Sequence, residues 1–226
     1  MKIAILGTGS VGQAFAARLS GLNHEVTIGT RNPSQTLQKK AGDGTFADYL
    51  AKNEGVKLAT FAEAAAFGEL IINVSKGENC LEIMESAGAA NLNGKIIIDI
   101  SNPLDFSKGM PPCLIPELSN TNSLGEEIQR RYPEAKVVKT LNTMWNGLML
   151  NPAMLNDGNH INYICGNDAD AKIKVVALLN EFGWKNSSIL DLGDITAARA
   201  TEGTLPIWLR VWGAKQTGAF NFNIIS

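Results

Sequence analysis

Short apolar runs alternate with amphipathic, helix-competent segments along the chain. The first run covers residues 3–6, and residues 10 to about 19 then show the spacing of a helix packed on one side. Apolar runs of this length are typical of parallel strands buried on both faces. Eight strands are predicted, at residues 3–6, 25–28, 56–59, 70–74, 95–100, 136–141, 160–165 and 188–192. The pattern predicts an α/β fold, doubly wound around a mainly parallel sheet of about eight strands, with helical additions at the C-terminus.

Local signals place several of the helices between these strands. Residues 32–54 are polar and helix-competent, and they are predicted to form a helix with a loop. Thr60 with Glu63, and Ser123 with Glu126, have the spacing of a capping box, so a helix is predicted to begin at each pair.

The segment of residues 101–122 breaks the alternation, because it contains four prolines and shows no clear period. A loop of this length inside a compact domain is usually functional, and this one begins where the fifth strand ends. Two interpretations stay open: a lid or wall on the substrate side, and an ordered structural loop.

The C-terminal segment, residues 194–226, is rich in large aromatic residues. Such side chains either cover the protein's own sheet or bury a subunit interface, and we expect a homodimer. Arg199 and Glu202 have the spacing of an ion pair across one helical turn. The aromatic residues are Trp208, Trp212, Phe220 and Phe222.

The division of the chain into domains follows from its composition. No stretch has the composition of a linker, so we expect a single domain over residues 1–226. Within it we expect two parts, a core of residues 1–103 and a C-terminal part of residues 104–226.

Three glycines directly after the first strand form the motif GxGxxG. Gly7 allows a tight turn, Gly9 leaves room for a phosphate, and Gly12 lets the following helix pack closely on the strand. The N-terminus of that helix offers free N–H groups and a positive dipole end to the anion. The motif therefore predicts a dinucleotide site with the contacts Gly7, Thr8, Gly9, Ser10, Val11 and Gly12.

The residues that end the second strand select the form of the cofactor. An NAD site usually has an acidic residue here, whereas this chain has Gly29, Thr30, Arg31 and Asn32. Arg31 can bind a 2′-phosphate with two hydrogen bonds and Thr30 can donate a hydroxyl, contacts worth roughly 1.5–3 kcal/mol. The sequence thus predicts a preference for NADP(H), with Thr30, Arg31 and Asn32 at the 2′-phosphate end.

Polar residues also follow the fourth, fifth and sixth predicted strands. The carboxyl ends of parallel strands meet at one edge of a sheet, where the nicotinamide half of the cofactor passes. Ser75, Lys76, Asn102 and Pro103 are predicted cofactor contacts there. The candidates for the pocket in which a hydride acceptor meets the nicotinamide are Asn142, Thr143 and Met144.

Composition and charge exclude several classes of protein. The net charge of −2 argues against a nucleic-acid partner, and no apolar run approaches the 18 residues of a membrane span. The three isolated cysteines and two histidines indicate neither a disulfide framework nor a metal site. The N-terminus runs into the first strand without a leader, so we expect a cytoplasmic protein.

Several stretches of the chain resemble a known family. GTGSVGQAFAARLSGLNHEVTIGTRNP, VVKTLNT, ICGNDADAK and LDLGDITAARATEGTLPIWL are similar to the NADP oxidoreductases that include the coenzyme F420-dependent enzymes. The order of these motifs also resembles the cytoplasmic reductase domains of six-transmembrane metalloreductases. The resemblance implies a Rossmann fold, NADP(H) bound at the glycine motif, Thr30 and Arg31, and hydride transfer to a flavin-like ring stacked on the nicotinamide.

One residue departs from the pattern of the family. Members that reduce the deazaflavin tend to have a histidine in the turn after the sixth strand, where this chain has Asn142. Deazaflavin specificity and NADP binding depend on different residues, so the departure bears only on the acceptor.

The sequence offers no convincing proton donor for a carbonyl substrate. His24 precedes the second strand and His160 begins a late one, and we predict structural roles for both. We therefore expect an enzyme that transfers a hydride between NADPH and a small-molecule acceptor, either a flavin or coenzyme F420. The alternatives are a reductase of a small imine or carbonyl substrate and a non-enzymatic NADP(H)-sensing protein.

Overall fold

Residues 1–225, which the computed structural model describes, fold around one sheet of eight strands. Across the sheet the strands lie in the order β8-β7-β6-β5-β4-β1-β2-β3, and neighbouring strands are parallel except β6 and β7. The predicted doubly wound α/β fold is thereby confirmed. Strands β1 to β8 are Lys2–Leu6, Glu25–Thr30, Val56–Thr60, Leu70–Asn73, Ile96–Asp99, Lys136–Thr140, Asn162–Gly166 and Ile189–Asp191.

Helices connect the strands and extend the chain at its C-terminus. Helices α1 to α11 are Ser10–Gly21, Pro33–Leu37, Phe46–Lys52, Phe61–Phe67, Gly77–Ala87, Ala89–Leu92, Leu124–Arg131, Asn146–Leu150, Ala169–Glu181, Ala198–Gly203 and Leu205–Lys215. Short 3₁₀ turns occur at Pro116–Leu118, Pro152–Met154, Asn156–Gly158, Asn186–Ser188 and Ile195–Ala197. Over the described part of the chain, no helix has both the length and the apolar character needed to cross a membrane.

The sheet separates two hydrophobic cores. Ile3 and Ile5 of β1 belong to one core, together with residues of α1, α8 and α9. Ala4 and Leu6 belong to the other, together with residues of α4, α5 and α7. Because successive side chains of a strand point to opposite faces, β1 is apolar at every one of these four positions. This double burial is the physical reason that the strands read as continuous apolar runs.

Two connections contain strands that the sequence analysis did not predict. Within residues 32–54, α2 and α3 flank a small hairpin in which Lys40–Ala41 pairs with Gly44–Thr45. The predicted helix with a loop is therefore wrong in detail, because Gly42 turns the chain with a positive φ of 59°. The segment 101–122 is also ordered as a hairpin, in which Leu104–Asp105 pairs with Cys113–Leu114.

The predicted helix starts are correct, but one box is incomplete. Thr60 and Glu63 form the full capping box at α4. At α7, Ser123 accepts from the backbone N–H of Glu126, as predicted. The Glu126 carboxylate instead binds the Ser123 hydroxyl, at 2.7 Å, and the Arg199 guanidinium.

The predicted ion pair between Arg199 and Glu202 is wrong. Arg199 donates to Glu126, with 2.8 Å between its Nε and the carboxylate. Glu202 is buried and accepts hydrogen bonds from the backbone N–H groups of Leu124 and Gly125 at 2.8 and 3.0 Å. The two residues separate because α10 places them against different partners.

The aromatic C-terminal segment packs partly on its own sheet. Trp208 stacks on Phe220, with 5.2 Å between ring centroids, and the backbone oxygen of Phe222 accepts from Ile161 beside β7. Ile207 and Trp212, on the same helix, stay partly exposed. Covering the sheet therefore accounts for part of this segment, and a separate apolar face remains on α11.

Candidate functional site

The glycine turn is shaped by backbone contacts that no side chain could tolerate. Gly7 has a φ of 136°, and a Cβ on Gly12 would lie 2.1 Å from the Gly7 carbonyl oxygen. Gly9, by contrast, has no atom within 4 Å of the place where its Cβ would stand. Because the N-cap residue of α1 is Gly9, no side chain caps the first amides of this helix. The turn therefore leaves open space beside uncapped helix amides, which suits a phosphate.

A cleft of about 260 Å³ lies at the carboxyl edge of the sheet. It brings together predicted residues from the glycine motif and from the exits of β4, β5 and β6. Pro103 and Thr143 are buried but do not line it. The predicted residues that do line it are Val11, Ser75, Lys76, Asn102, Asn142 and Met144.

Asn102 and Asn142 hold the exits of β5 and β6 together. The Asn102 Nδ2 donates to the backbone oxygen of Asn142 at 2.8 Å, and the Asn142 Nδ2 donates to the Asn102 Oδ1 at 2.9 Å. Asn142 stands at the position where the family resemblance places a histidine. Asn142 thus shapes the wall of the cleft through an amide pair.

The three residues predicted at the 2′-phosphate differ in their surroundings. Thr30 is buried, and its hydroxyl pairs with that of Thr36 at 2.8 Å. Asn32 caps α2. The Arg31 guanidinium is 59% exposed and lies 3.1 Å from Glu82, whose side chain is 62% exposed. So exposed a pair is worth about 0–1 kcal/mol, and a phosphate can displace Glu82 from Arg31.

Beneath the cleft lies a buried ionic triad that the sequence analysis missed. The Lys139 Nζ lies 2.8 Å from Asp99 and 2.7 Å from Glu202, and all three side chains are at most 2% exposed. Asp99 also accepts from Asn73 at 2.7 Å. Asn73, Asp99 and Lys139 are in register on β4, β5 and β6, so a polar residue near the end of each of three adjacent apolar strands was the available signal.

The triad fixes the backbone that leads into the cleft. Asp99 accepts from the Ser101 N–H and hydroxyl at 3.1 and 2.6 Å, while Lys139 donates to the Ser101 carbonyl at 2.5 Å. Asn73 accepts from the Ser75 N–H and hydroxyl at 3.2 and 2.7 Å. Ser75 and Ser101 both line the cleft, so its floor is held by buried charge.

Burial and charge shift the protonation equilibria in this network. Burial lowers the pKa of Lys139, but Asp99 and Glu202 outweigh it and raise the pKa above its ordinary value. Burial raises the pKa of Glu202, against the opposing charge of Lys139. Burial and Asp99 raise the pKa of the neighbouring Cys80 to about 12, so this thiol stays protonated and is no nucleophile.

Other depressions lie away from this edge. One of about 510 Å³ is lined by Met1, Leu70 and Ile96, at the amino ends of the strands. Another of about 330 Å³ lies between α9 and the edge strands β7 and β8. Neither contains a residue that the sequence predicts for the site. In open α/β sheets ligands bind at the carboxyl ends of the strands, which favours the smaller cleft as the site.

Comparison with known proteins identifies the family. The model of the family described as NADP oxidoreductase, coenzyme F420-dependent, matches residues 2–103. A crystal structure from Arthrobacter sp. FB24, provisionally described as an F420-dependent NADP reductase, is 51% identical, with a TM-score of 0.94 and 100% of both chains covered. The chain belongs to this family. Membership confirms the predicted class of protein, an NADP-dependent oxidoreductase.

More distant relatives of this NADP oxidoreductase share its sequence or its fold. Metalloreductase STEAP3 of Rattus norvegicus is 30% identical over 213 residues, which are 92% of this chain and 38% of STEAP3. The chain spans less than half the length of the curated relatives that it matches. An imine reductase of Streptomyces aurantiacus, 19% identical, has a TM-score of 0.64 over 96% of this chain and 63% of that enzyme, and it shares the fold.

We expect Lys139→Met to destabilise the oxidoreductase strongly. The substitution keeps the length of the apolar stem but leaves Asp99 and Glu202 buried without their cation, which costs roughly 3–5 kcal/mol. Urea unfolding of the full chain measures the loss. Arg199→Met, which breaks a partly exposed pair between α7 and α10, is the matched control and should cost about 1 kcal/mol or less. Equal losses in the two variants would contradict the role given to the triad.

Proposed function

We propose that the protein binds NADPH along the glycine turn and reduces a planar flavin or deazaflavin ring, such as coenzyme F420, in the cleft. One observation carries this proposal. Val11 belongs to the glycine motif and also lines the cleft that contains Asn142 and Met144. A dinucleotide whose diphosphate lies on the turn can therefore extend its nicotinamide directly into the cleft.

The residues present fit the proposed cofactor. The turn at Gly9 has room for the diphosphate, and the free amides at the start of α1 neutralise its charge. Arg31 binds the 2′-phosphate in place of Glu82. Ser75 and Asn102, fixed by the buried network, position the nicotinamide half. When bound, NADPH supplies the hydride.

The walls of the cleft suit a planar acceptor. Met144, Met149 and Leu205 give them an apolar lining. Hydride transfer to a flavin-type ring needs orientation in such a slot more than it needs an acidic side chain. The two histidines make other contacts: His24 binds Glu181 at 2.8 Å, and His160 binds the Pro152 carbonyl at 3.0 Å.

Lys76 favours a second candidate function, the reduction of a small imine or carbonyl compound. Such a substrate needs a proton donor beside the hydride acceptor. Among the residues that line the cleft, Lys76 carries the one charged side chain, and its Nζ lies 5.8 Å from the centre of the Phe106 ring. A non-enzymatic NADP(H) sensor is the third candidate, and acceptor turnover distinguishes it from both enzymes.

We also propose a single domain that works as a cytoplasmic homodimer. The cleft takes residues from both 1–103 and 104–226, which supports one domain with a cofactor side and an acceptor side. Cys80, Cys113 and Cys165 are free thiols, which fits a reducing compartment. The exposed apolar face of α11, with Ile207 and Trp212, supports contact with a second copy of the chain.

The acceptor proposal predicts NADPH oxidation with a ring compound. We expect the absorbance of NADPH to fall when FMN, FAD, riboflavin or a deazaflavin is added, with the cyclic imine 1-pyrroline as the contrasting substrate. Oxidation by the imine alone, lost in Lys76→Met, would favour the second candidate. Tight binding of NADPH without its oxidation by any acceptor would favour the third candidate, a non-enzymatic NADP(H) sensor.

The cofactor proposal predicts that Arg31→Glu weakens the binding of NADPH much more than the binding of NADH. Loss of a charge-assisted contact to the 2′-phosphate should raise the Kd for NADPH about ten- to hundredfold. Titration of nicotinamide fluorescence measures both cofactors. Lys174→Glu makes the same change of charge on an exposed site at the opposite edge of the sheet, so it should alter neither Kd. Equal weakening of NADPH and NADH by Arg31→Glu would refute the assignment.

The homodimer predicts a particle of twice 24.2 kDa. We expect light scattering after size-exclusion chromatography to give this mass for the wild type, and a monomer for Trp212→Glu, since the charge would be buried at the interface. Met154→Glu, which changes an exposed methionine elsewhere, should stay dimeric. A monomeric wild type at micromolar concentration would end this proposal.

A further inference from the structure

The side-chain amide of Asn142 has a fixed direction in the wall of the cleft. Its Nδ2 donates to the Asn102 Oδ1 at 2.9 Å, while the Asn102 Nδ2 donates to the backbone oxygen of Asn142 at 2.8 Å. A backbone oxygen can only accept, so the Asn102 amide must turn its nitrogen toward it. The Asn142 amide must then turn its own nitrogen toward the Asn102 Oδ1. The Asn142 Oδ1 is thereby held on the side that faces away from Asn102.

This oxygen is both without a partner and accessible. Within the described chain, the Asn142 Oδ1 accepts no hydrogen bond. The polar side-chain atom that is fully buried and lacks a partner there is Trp208 Nε1, so the Asn142 Oδ1 keeps some accessible surface. Asn142 is only 2% exposed, and it lines the cleft. The structure therefore presents a fixed, unused hydrogen-bond acceptor to whatever fills the cleft.

The surroundings of this oxygen define the chemistry of the ligand. Met144 and Leu205 give the cleft apolar walls, and the Lys76 Nζ, 5.8 Å from the centre of the Phe106 ring, adds a cationic donor. A carboxylate would bring a second acceptor against the Asn142 Oδ1. An amide-type N–H beside a carbonyl oxygen offers a donor to Asn142 and an acceptor to Lys76. A flat molecule that carries such a group matches the polar groups and the apolar walls alike.

We propose that Asn142 determines the specificity of the cleft by accepting a hydrogen bond from an amide-type N–H of the ligand. Asn102 is the positioning residue, because it fixes the direction of the Asn142 amide. The inference rests on the proposed function and deepens it. Two components of that reaction carry the required group: the carboxamide of the nicotinamide, and the imide N–H at position 3 of a flavin or deazaflavin ring.

The test compares ligands that differ only in this N–H. In one arm the full chain with NADP⁺ bound is titrated with riboflavin and with 3-methylriboflavin, and flavin fluorescence gives each Kd. In the other arm calorimetry gives the Kd of NADP⁺ and of its 3-acetylpyridine analogue, in which a methyl replaces the amide nitrogen. We expect the wild type to bind the N–H form about tenfold more tightly in one arm, which identifies the ligand group on Asn142.

Variants connect this preference to the Asn142 oxygen. Asn142→Leu removes the acceptor at nearly the same size, so the two Kd values should become equal. Asn142→Asp keeps an acceptor oxygen and should keep the preference, whereas Asn102→Ala lets the amide rotate and should weaken it. Because the preference is a ratio of two Kd values within one variant, a loss of stability cancels. Met149→Leu changes only the apolar lining and is the matched control, with an unchanged ratio.

Equal Kd values in both arms of the wild type overturn the inference. So does a preference that persists in Asn142→Leu, because it then reflects the shape of the cleft rather than a hydrogen bond. Failure of the proposed function is recognised separately: no ring compound would oxidise NADPH, while the cofactor arm would still decide the role of Asn142. A wild type that binds neither riboflavin nor NADP⁺ overturns both proposals.

Discussion

The interaction on which the structure depends is the charge of Lys139 between two carboxylates. A lysine with no exposed surface is tolerated only where anions replace its water, because moving an ion out of water costs several kcal/mol. Asp99 on β5 and Glu202 on α10 provide these anions. Residues 99, 139 and 202 are far apart in the sequence, so the charge is satisfied only when the central sheet and the C-terminal helices have both formed.

The same network joins the fold to the site. Its hydrogen bonds to Ser75 and Ser101 define the backbone on the floor of the cleft, and Glu202 also holds the N-terminus of α7. A cleft at the exits of strands is ordinarily formed by loops. Here the loops are hydrogen-bonded to the buried ionic network. These bonds keep the amides and side chains of the cleft in place before any ligand binds.

Local pattern accounts for what the sequence could predict. The central strands are buried on both faces, so their apolar runs can be recognised in the sequence. The glycine spacing of the first turn follows from the close approach of Gly12 to the Gly7 carbonyl oxygen, which leaves no room for a side chain. The partners of Arg199 and Glu202 were not predictable, because they depend on how α10 packs across the chain. Lys139 reads as an ordinary polar strand residue until the register of β5 and β6 is known.

The anchoring of α10 has a consequence for how this family can diversify. Glu202 ties the C-terminal helices to the sheet from beneath, while Leu205 and Trp208 face the cleft from the following helix. Substitutions at the latter two positions therefore leave the anchor untouched. The part of α11 that lines the cleft can therefore be exchanged, by evolution or by engineering, while the sheet and its ionic anchor stay unaltered.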